Sequence, residues 1–286
     1  VEILEIEGDK EHEKRMKAEE EAQICEQMFY CSNKKMWIVR YIYNEKLKEL
    51  EDNYNCTEKR MKTLNNKLRQ SQDIADAVNK EIQKNIDNNY WRKCSDLELD
   101  PNLQKHYLPI NYVKSASSAS TPVRIILDPS QKGKNSISLN HCEASGSSQI
   151  GDLKGCLLRF RTSQTVALGD IAKFFNSFGL TDEDMSLRRI LIPEKRFGQK
   201  GEDIKLEEYA LTVMGFGDKA SPILATIGKM KHMKAFIDET EEELKESVTR
   251  TLTTQAYVDD CFANCPYGED IRKITNAVDK ILTKGN

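Results

Sequence analysis

Late in the chain, Gln255 to Val258 and Cys261 to Ala263 are short apolar runs separated only by Asp259-Asp260. So short a connection turns the chain straight back, and the segment is predicted to be a tight β-hairpin with both acids at its tip. Such a turn tolerates Asp readily, and taken alone the pair reads as a polar hairpin tip. A third acid changes its meaning. Asp170 closes the apolar run Thr165-Val166-Ala167-Leu168-Gly169, which reads as a strand carrying a carboxylate at its edge. If the two strands are neighbours, Asp170 and Asp259 converge. Clustered carboxylates repel unless a cation lies between them. Oxygen-only ligation with few histidines suits Mg²⁺, which keeps waters and takes further ligands from substrate phosphates. Two such ions form the clamp for in-line phosphoryl transfer.

At 286 residues the chain is long enough for one large domain or two small ones. Charged residues make up 31% and apolar residues 38%, which suggests a sizeable solvated helical portion. No apolar stretch is long enough to span a membrane. The first residue is Val1, and neither a basic nor an apolar leader segment follows, so the chain reads as a processed or excised fragment. A net charge of −3 argues against a nonspecific polycation, but a local basic groove remains compatible with it. Eight cysteines are scattered without a C-x-x-C, and Cys261-x3-Cys265 is a weak metal signal. Structural or free thiols in a reducing compartment are expected.

Strands and helices are mixed without βαβ alternation, so the fold class is α+β. Residues 1–30 read as polar helix or loop, with high helix propensity from Met16 to Met28. Trp37 to Tyr43 is a strand. Asn44 to Leu68 is helical, with Leu47, Leu50, Tyr54, Met61, Leu64 and Leu68 on a heptad-like seam that Thr57 breaks. That seam suits a helix packed on its own domain, with a coiled-coil dimer as the alternative. A second helix runs from about Ser71 to Ile86. Residues 115–122 form a Ser/Ala loop, and Val123 to Leu127 a strand. Leu153 to Phe160 is helical. Ile171 to Phe178 is helical or irregular. Ser186 to Ile192 and Glu208 to Met214 are strands around a charged loop. Ser221-Pro222 opens a helix to about Phe236, 238–247 is acidic and helical, and Glu269 to Leu282 is an amphipathic helix.

The ordered motifs resemble a reverse transcriptase, and more narrowly the Pao/BEL group of LTR retrotransposons. HYLPINYVK (106–114) and PVRIILDPS (122–130) resemble the fingers strands. SLN (138–140) and LLRFR (157–161) resemble the next blocks, and ALGDIAKFFNSFGLTDEDMSLRRIL (167–191) the first metal-binding motif. MGFGDKASPILAT (214–226) is similar to the motif lining the nucleotide pocket, and AYVDD (256–260) to the hairpin motif. Residues 57–93 resemble the helical lead-in of this group.

The resemblance implies a right-hand polymerase, with fingers and an antiparallel palm sheet backed by helices. It divides the chain into an N-terminal acidic, helical extension (1–44), a helical lead-in (45–105) and the fingers–palm (106–286). Asp170 and Asp259 would carry Mg²⁺, or Mn²⁺ in its place, with Asp260 in support. Arg124 would reach the triphosphate, unless it pairs with Asp128. Phe175 would lie under the sugar, a role for which Phe174 and Phe178 compete. Phe216 and Gly217 would line the pocket, and Lys114 would meet triphosphate or template. Asp218 departs from the pattern by placing an acid in the pocket motif. The implied activity is RNA-directed DNA polymerisation from a dNTP onto a primer paired with an RNA or DNA template. The thumb, RNase H and integrase of a Pol polyprotein are expected partners, no membrane is, and a cytoplasmic virus-like particle is the expected location. The alternatives are a degenerate or domesticated retroelement protein that binds nucleic acid without catalysis, and a helical interaction protein built on residues 44–86.

Overall fold

The computed structural model describes Arg15, Glu19 and residues 22–114, 123–144, 152–199, 204–265 and 270–284. The expected loops at 115–122 and 145–148, and most of the N-terminal helix, lie outside these residues. In chain order the elements are β1 (Phe29–Cys31), β2 (Met36–Val39), α1 (Tyr54–Leu68), α2 (Gln72–Asp87), β3 (Trp91–Lys93), β4 (Ile110–Lys114) and β5 (Val123–Leu127). Then follow α3 (Leu139–Cys142), α4 (Leu153–Phe160), β6 (Thr165–Asp170), β7 (Phe178–Leu180), α5 (Asp182–Ser186), β8 (Arg189–Pro193) and β9 (Leu206–Leu211). The last are α6 (Ser221–Phe236), α7 (Glu242–Leu252), β10 (Ala256–Tyr257), β11 (Asp260–Cys265) and α8 (Ile271–Leu282). The protein is α+β. Among the described residues no helix is long and apolar enough to cross a membrane. The chain forms two compact units, one from Val1–Tyr41, Ser145–Phe178 and Pro222–Asn286, the other from Ile42–Ala144 and Gly179–Ser221.

In the first unit β10, β11 and β6 form an antiparallel sheet in that order. Side chains alternate across a strand, so Cys261, Ala263 and Cys265 of β11 share one face. They pack with Met233, Val248, Leu252, Ile274, Val278 and Ile281 of α6, α7 and α8. The opposite face of β11 carries Phe262 and Asn264, and α4 covers it. Phe160 meets Phe262 edge-on at 5.7 Å, and Asn264 Nδ2 donates to Arg159 O at 2.7 Å. On β6 that same side carries Val166, Leu168 and Asp170, and it stays open: Leu168 is 65% exposed.

Helix α6 is apolar around most of its circumference, as a helix buried on several sides must be. The β1–β2 hairpin docks on it through Trp37 Nε1, which donates to His232 Nδ1 at 3.1 Å. Lys231 Nζ adds bonds to the carbonyls of Cys25 and Met28. Gly228 lets α6 approach Phe178, because a Cβ there would lie 2.1 Å from the ring's Cε1.

In the second unit β4 pairs with β5, and β9 lies between β3 and β8. The predicted seam of α1 faces inward within this unit: Met61, Leu64 and Leu68 are buried. Thr57 is buried too rather than breaking the face, with its hydroxyl 3.4 Å from Tyr107 O. Several predicted boundaries shift. The helix expected from Asn44 is a 3₁₀ turn at Glu45–Glu49, capped by Asn44, and α1 starts only at Tyr54. The strand at Trp37 to Tyr43 ends at Val39. Ser186 ends a helix instead of opening a strand, because Thr181 caps three acids that suit a helix N-terminus. The strand expected over Glu208 to Met214 is Leu206–Leu211, and the acidic helix runs on to Leu252.

Gly228→Ala tests the close approach of α6. Alanine gains about 1 kcal/mol of helix propensity, whereas forcing a methyl against a packed ring costs about 1–3 kcal/mol. The clash is severe, so a lower thermal midpoint is expected; an unchanged or higher one would show that Phe178 yields freely.

Candidate active site

The hairpin expected around Asp259-Asp260 is present, but its tip lies one residue earlier. Tyr257 pairs with Asp260, leaving Val258 and Asp259 as the two-residue loop. Asp260 already belongs to β11 and sits opposite Asp170 on β6. Residues directly opposite each other project to the same face, so two carboxylates share one side of the sheet, an arrangement that is ordinarily destabilising. Ile171 N donates to Asp259 O at 2.9 Å, which ties the end of β6 to the turn. Burial first, and then the neighbouring Asp259 and Asp260 carboxylates, raise the Asp170 pKa above the ordinary aspartate value.

The turn is strained. Val258 has φ +55°, whereas Asp259 does not lie in the left-handed region. Positive φ at the first loop residue only is the type II′ pattern, which normally takes glycine there. A β-branched residue in that region costs about 1–3 kcal/mol and persists only where its surroundings hold it. Lys229 of α6 supplies one hold. It is 4% exposed, and its Nζ donates to Val258 O at 2.9 Å beside the Phe174 ring. Burial pushes its pKa below the usual lysine value, opposed by Cys261, Asp259 and Cys156.

Among the described residues no three His, Cys, Asp or Glu side chains converge into a ready-made metal cage. The oxygen-only donors and the mutual repulsion acting on Asp170 nonetheless suit a hard divalent cation that takes its remaining ligands from phosphate and water.

Phe175 is buried in the same unit, as are Phe174 and Phe178. Phe174 stacks edge-on with Phe178 and lies over Lys229.

The expected nucleotide residues belong to the second unit. Arg124 and Lys114 are exposed on the β4–β5 ladder at adjacent registers, and so on its opposite faces. The alternative pairing of Arg124 with Asp128 is not formed, since Arg60 binds Asp128 at 2.9 Å. Phe216 is 63% exposed. Gly217 has φ +107°, and a Cβ there would press on Leu127 O at 3.0 Å, so the loop requires glycine.

Asp218, the departure noted in the pocket motif, turns inward. Its Oδ2 accepts from Arg188 Nε at 3.0 Å. Arg188 is fully buried and also binds Glu143 at 2.6 Å and approaches Asp184 at 3.7 Å. Glu143 Oε2 in turn accepts from Ala220 N at 3.1 Å, which ties down the loop that carries Phe216 and Gly217. Burial, followed by Asp218, pushes the Glu143 pKa up to about 8 against the pull of Arg188. Sequence reasoning missed Lys229, Arg188 and Glu143. A lysine inside the apolar run of α6 was the available signal for the first. Nothing local marked the other two.

No protein-family model matches the chain, and no curated protein matches it.

The raised pKa of Glu143 gives a signed prediction. Between about pH 4.5 and 8 the folded chain holds a proton there that the unfolded chain releases, so this site's contribution to stability falls as pH rises. Glu143→Gln mimics the protonated acid. In urea titrations at pH 5 and pH 8, the variant should gain stability relative to the native protein as pH increases. A pH-independent difference would mean that Glu143 is ionised in the fold.

Proposed function

We propose that the chain is the fingers and palm core of an RNA-directed DNA polymerase of the Pao/BEL retrotransposon type. The observation that carries this reading is the pairing of Asp170 with Asp260 across adjacent antiparallel strands, with Asp259 in the strained turn beside them. Nothing in the stability of a sheet calls for facing carboxylates; chemistry that needs divalent cations does. In this reading the first unit is the palm, and the second carries the fingers strands.

Asp170 and Asp259 would hold the metal, Mg²⁺ or Mn²⁺, with Asp260 in support. When bound, the metal would neutralise charge on the transferring phosphoryl group and favour ionisation of the primer 3′-OH. The chain's own contribution is largely positioning. Arg124 would offer a planar guanidinium to the triphosphate, and Lys114, on the other face of the ladder, a point charge to template phosphate. Gly217 lets backbone come close to the nucleotide, Phe216 offers an exposed ring beside it, and Phe175 would limit space at the sugar. Val166 and Leu168, exposed on the face that carries Asp170, would lie beneath the primer terminus. The primer hydroxyl attacks the α-phosphate of the dNTP and pyrophosphate leaves. Template and primer would come from the element's own RNA and its DNA copy, with the rest of a Pol polyprotein as partner.

A second reading, a retroelement descendant that binds nucleic acid without polymerising, is favoured by the lack of a ready-made cage among the described side chains. Incorporation of dNTP on a primed RNA template separates the two. Native protein should extend the primer only with Mg²⁺ or Mn²⁺. Asp170→Asn or Asp259→Asn should lower the rate by about 10³-fold or more, because each removes a charge worth several kcal/mol in the transition state. Asp260→Asn should be milder. Near-native extension by either of the first two variants would remove the two-metal assignment, and binding without extension by native protein would establish the second reading.

A further inference from the structure

We propose that Lys229 is a positioning residue for the metal-holding aspartates, acting by fixing the orientation of the Val258–Asp259 peptide. This rests on the reading of Asp170 and Asp259 as cation ligands. Types I′ and II′ of a two-residue hairpin differ by a flip of the peptide between the two loop residues. Here that peptide's oxygen is Val258 O, the atom that receives the Lys229 ammonium at 2.9 Å. The next carbonyl, Asp259 O, is held by Ile171 N at 2.9 Å. Both carbonyls of the loop are therefore fixed from outside the hairpin, one by α6 and one by the end of β6. Glycine would hold a II′ turn unaided. Valine at φ +55° does not prefer it, so the conformation depends on these outside bonds.

The choice of residue supports a directed role. Lys229 is 4% exposed, between Phe174 on one side and the turn on the other. Burying an ammonium is costly, and methionine of similar length would fill such a place more cheaply. What methionine lacks is the donor aimed at Val258 O. Release of that bond frees the peptide to flip, which reverses Val258 O and Asp259 N–H and changes φ at Asp259 while its Cα stays in place. The rotamers open to the Asp259 side chain depend on that φ, so the carboxylate is no longer confined to the position it holds beside Asp170.

The test uses four forms of the full chain: native, Lys229→Met, Val258→Gly, and the double variant. Each is titrated with Mn²⁺ alone, read by electron paramagnetic resonance of the free ion, and then assayed for primer extension at saturating dNTP. Lys229→Met should weaken Mn²⁺ binding by about tenfold and lower the extension rate without a matching change in the dNTP half-saturation concentration. In the Val258→Gly background the same substitution should cost little, because glycine keeps the turn without help. Equal losses in both backgrounds, or native-like Mn²⁺ affinity in Lys229→Met, overturn the proposal. If Lys229→Met fails to fold, the double variant decides: folded and Mn²⁺-competent supports the clamp, and anything else overturns it. A native protein that binds no Mn²⁺ fails the aspartate assignment instead, a result distinct from native binding with an indifferent Lys229.

Discussion

Asp170 and Asp260 face each other across a ladder that fixes their spacing, and side-chain rotation is the only freedom left to them. Like charges in that relation weaken a sheet. The three-stranded sheet withstands it because its other face is committed to burial: Cys261, Ala263 and Cys265 lie on the hydrophobic core built by α6, α7 and α8. Hydrophobic burial of this kind is the dominant favourable term in folding, and it holds β11 in register whatever happens at its first residue. The rest follows from that division. One face of the sheet is sealed by three helices. The other is sealed by α4 over β11 and left open over β6, on the side that bears the carboxylate.

The chain handles two acid clusters in opposite ways. In the second unit Glu143, Asp184 and Asp218 gather around Arg188, out of contact with solvent, where the guanidinium offsets part of the acidic charge and burial raises the Glu143 pKa. That cluster is closed, and its effect is to anchor the loop carrying Phe216 and Gly217 from beneath. In the first unit the lysine nearest the turn gives its hydrogen bond to a backbone carbonyl, and the aspartates remain available on a half-exposed surface. A buried cluster with its own cation is a fastening. The accessible one keeps its carboxylates on the surface, with no cation from the chain's described residues built in among them.

Much of this was legible in the residues. Leu153–Phe160, Val123–Leu127 and Ser221–Phe236 fall where periodicity and turn residues place them. So does the strand that ends at Asp170. The residues show the hairpin as a hairpin, but local propensity sets its tip at Asp259-Asp260, one residue later than the fold does. Asp-Asp is the better local turn former, and Val258 takes a loop position that propensity alone assigns to glycine. Tertiary bonds from Lys229 and Ile171 decide that point, and neither lies near the turn in sequence. Ser186 departs from its sequence expectation for a related reason: the apolar run that follows it resembles a strand start, while Thr181 and its three acids set a helix that reaches it. The Arg188 cluster joins residues from 143, 184 and 218, and no window of sequence contains it.

The interleaving of the two units has a consequence for synthesis. By Ser221 the ribosome has supplied every residue of the second unit, whereas the first still lacks the β10–β11 hairpin. Strand β6 therefore emerges about 90 residues ahead of β11, its partner among the described residues, a wait of roughly 5–20 s at ordinary elongation rates. During that wait Val166 and Leu168 stand on an unpaired edge, the kind of surface that recruits unintended strands. Asp170 at its end is then an ordinary solvated carboxylate, with no like charge opposing it. The repulsion at the candidate site arises only when β11 arrives, so the carboxylate cluster forms only after every residue of the second unit has been made.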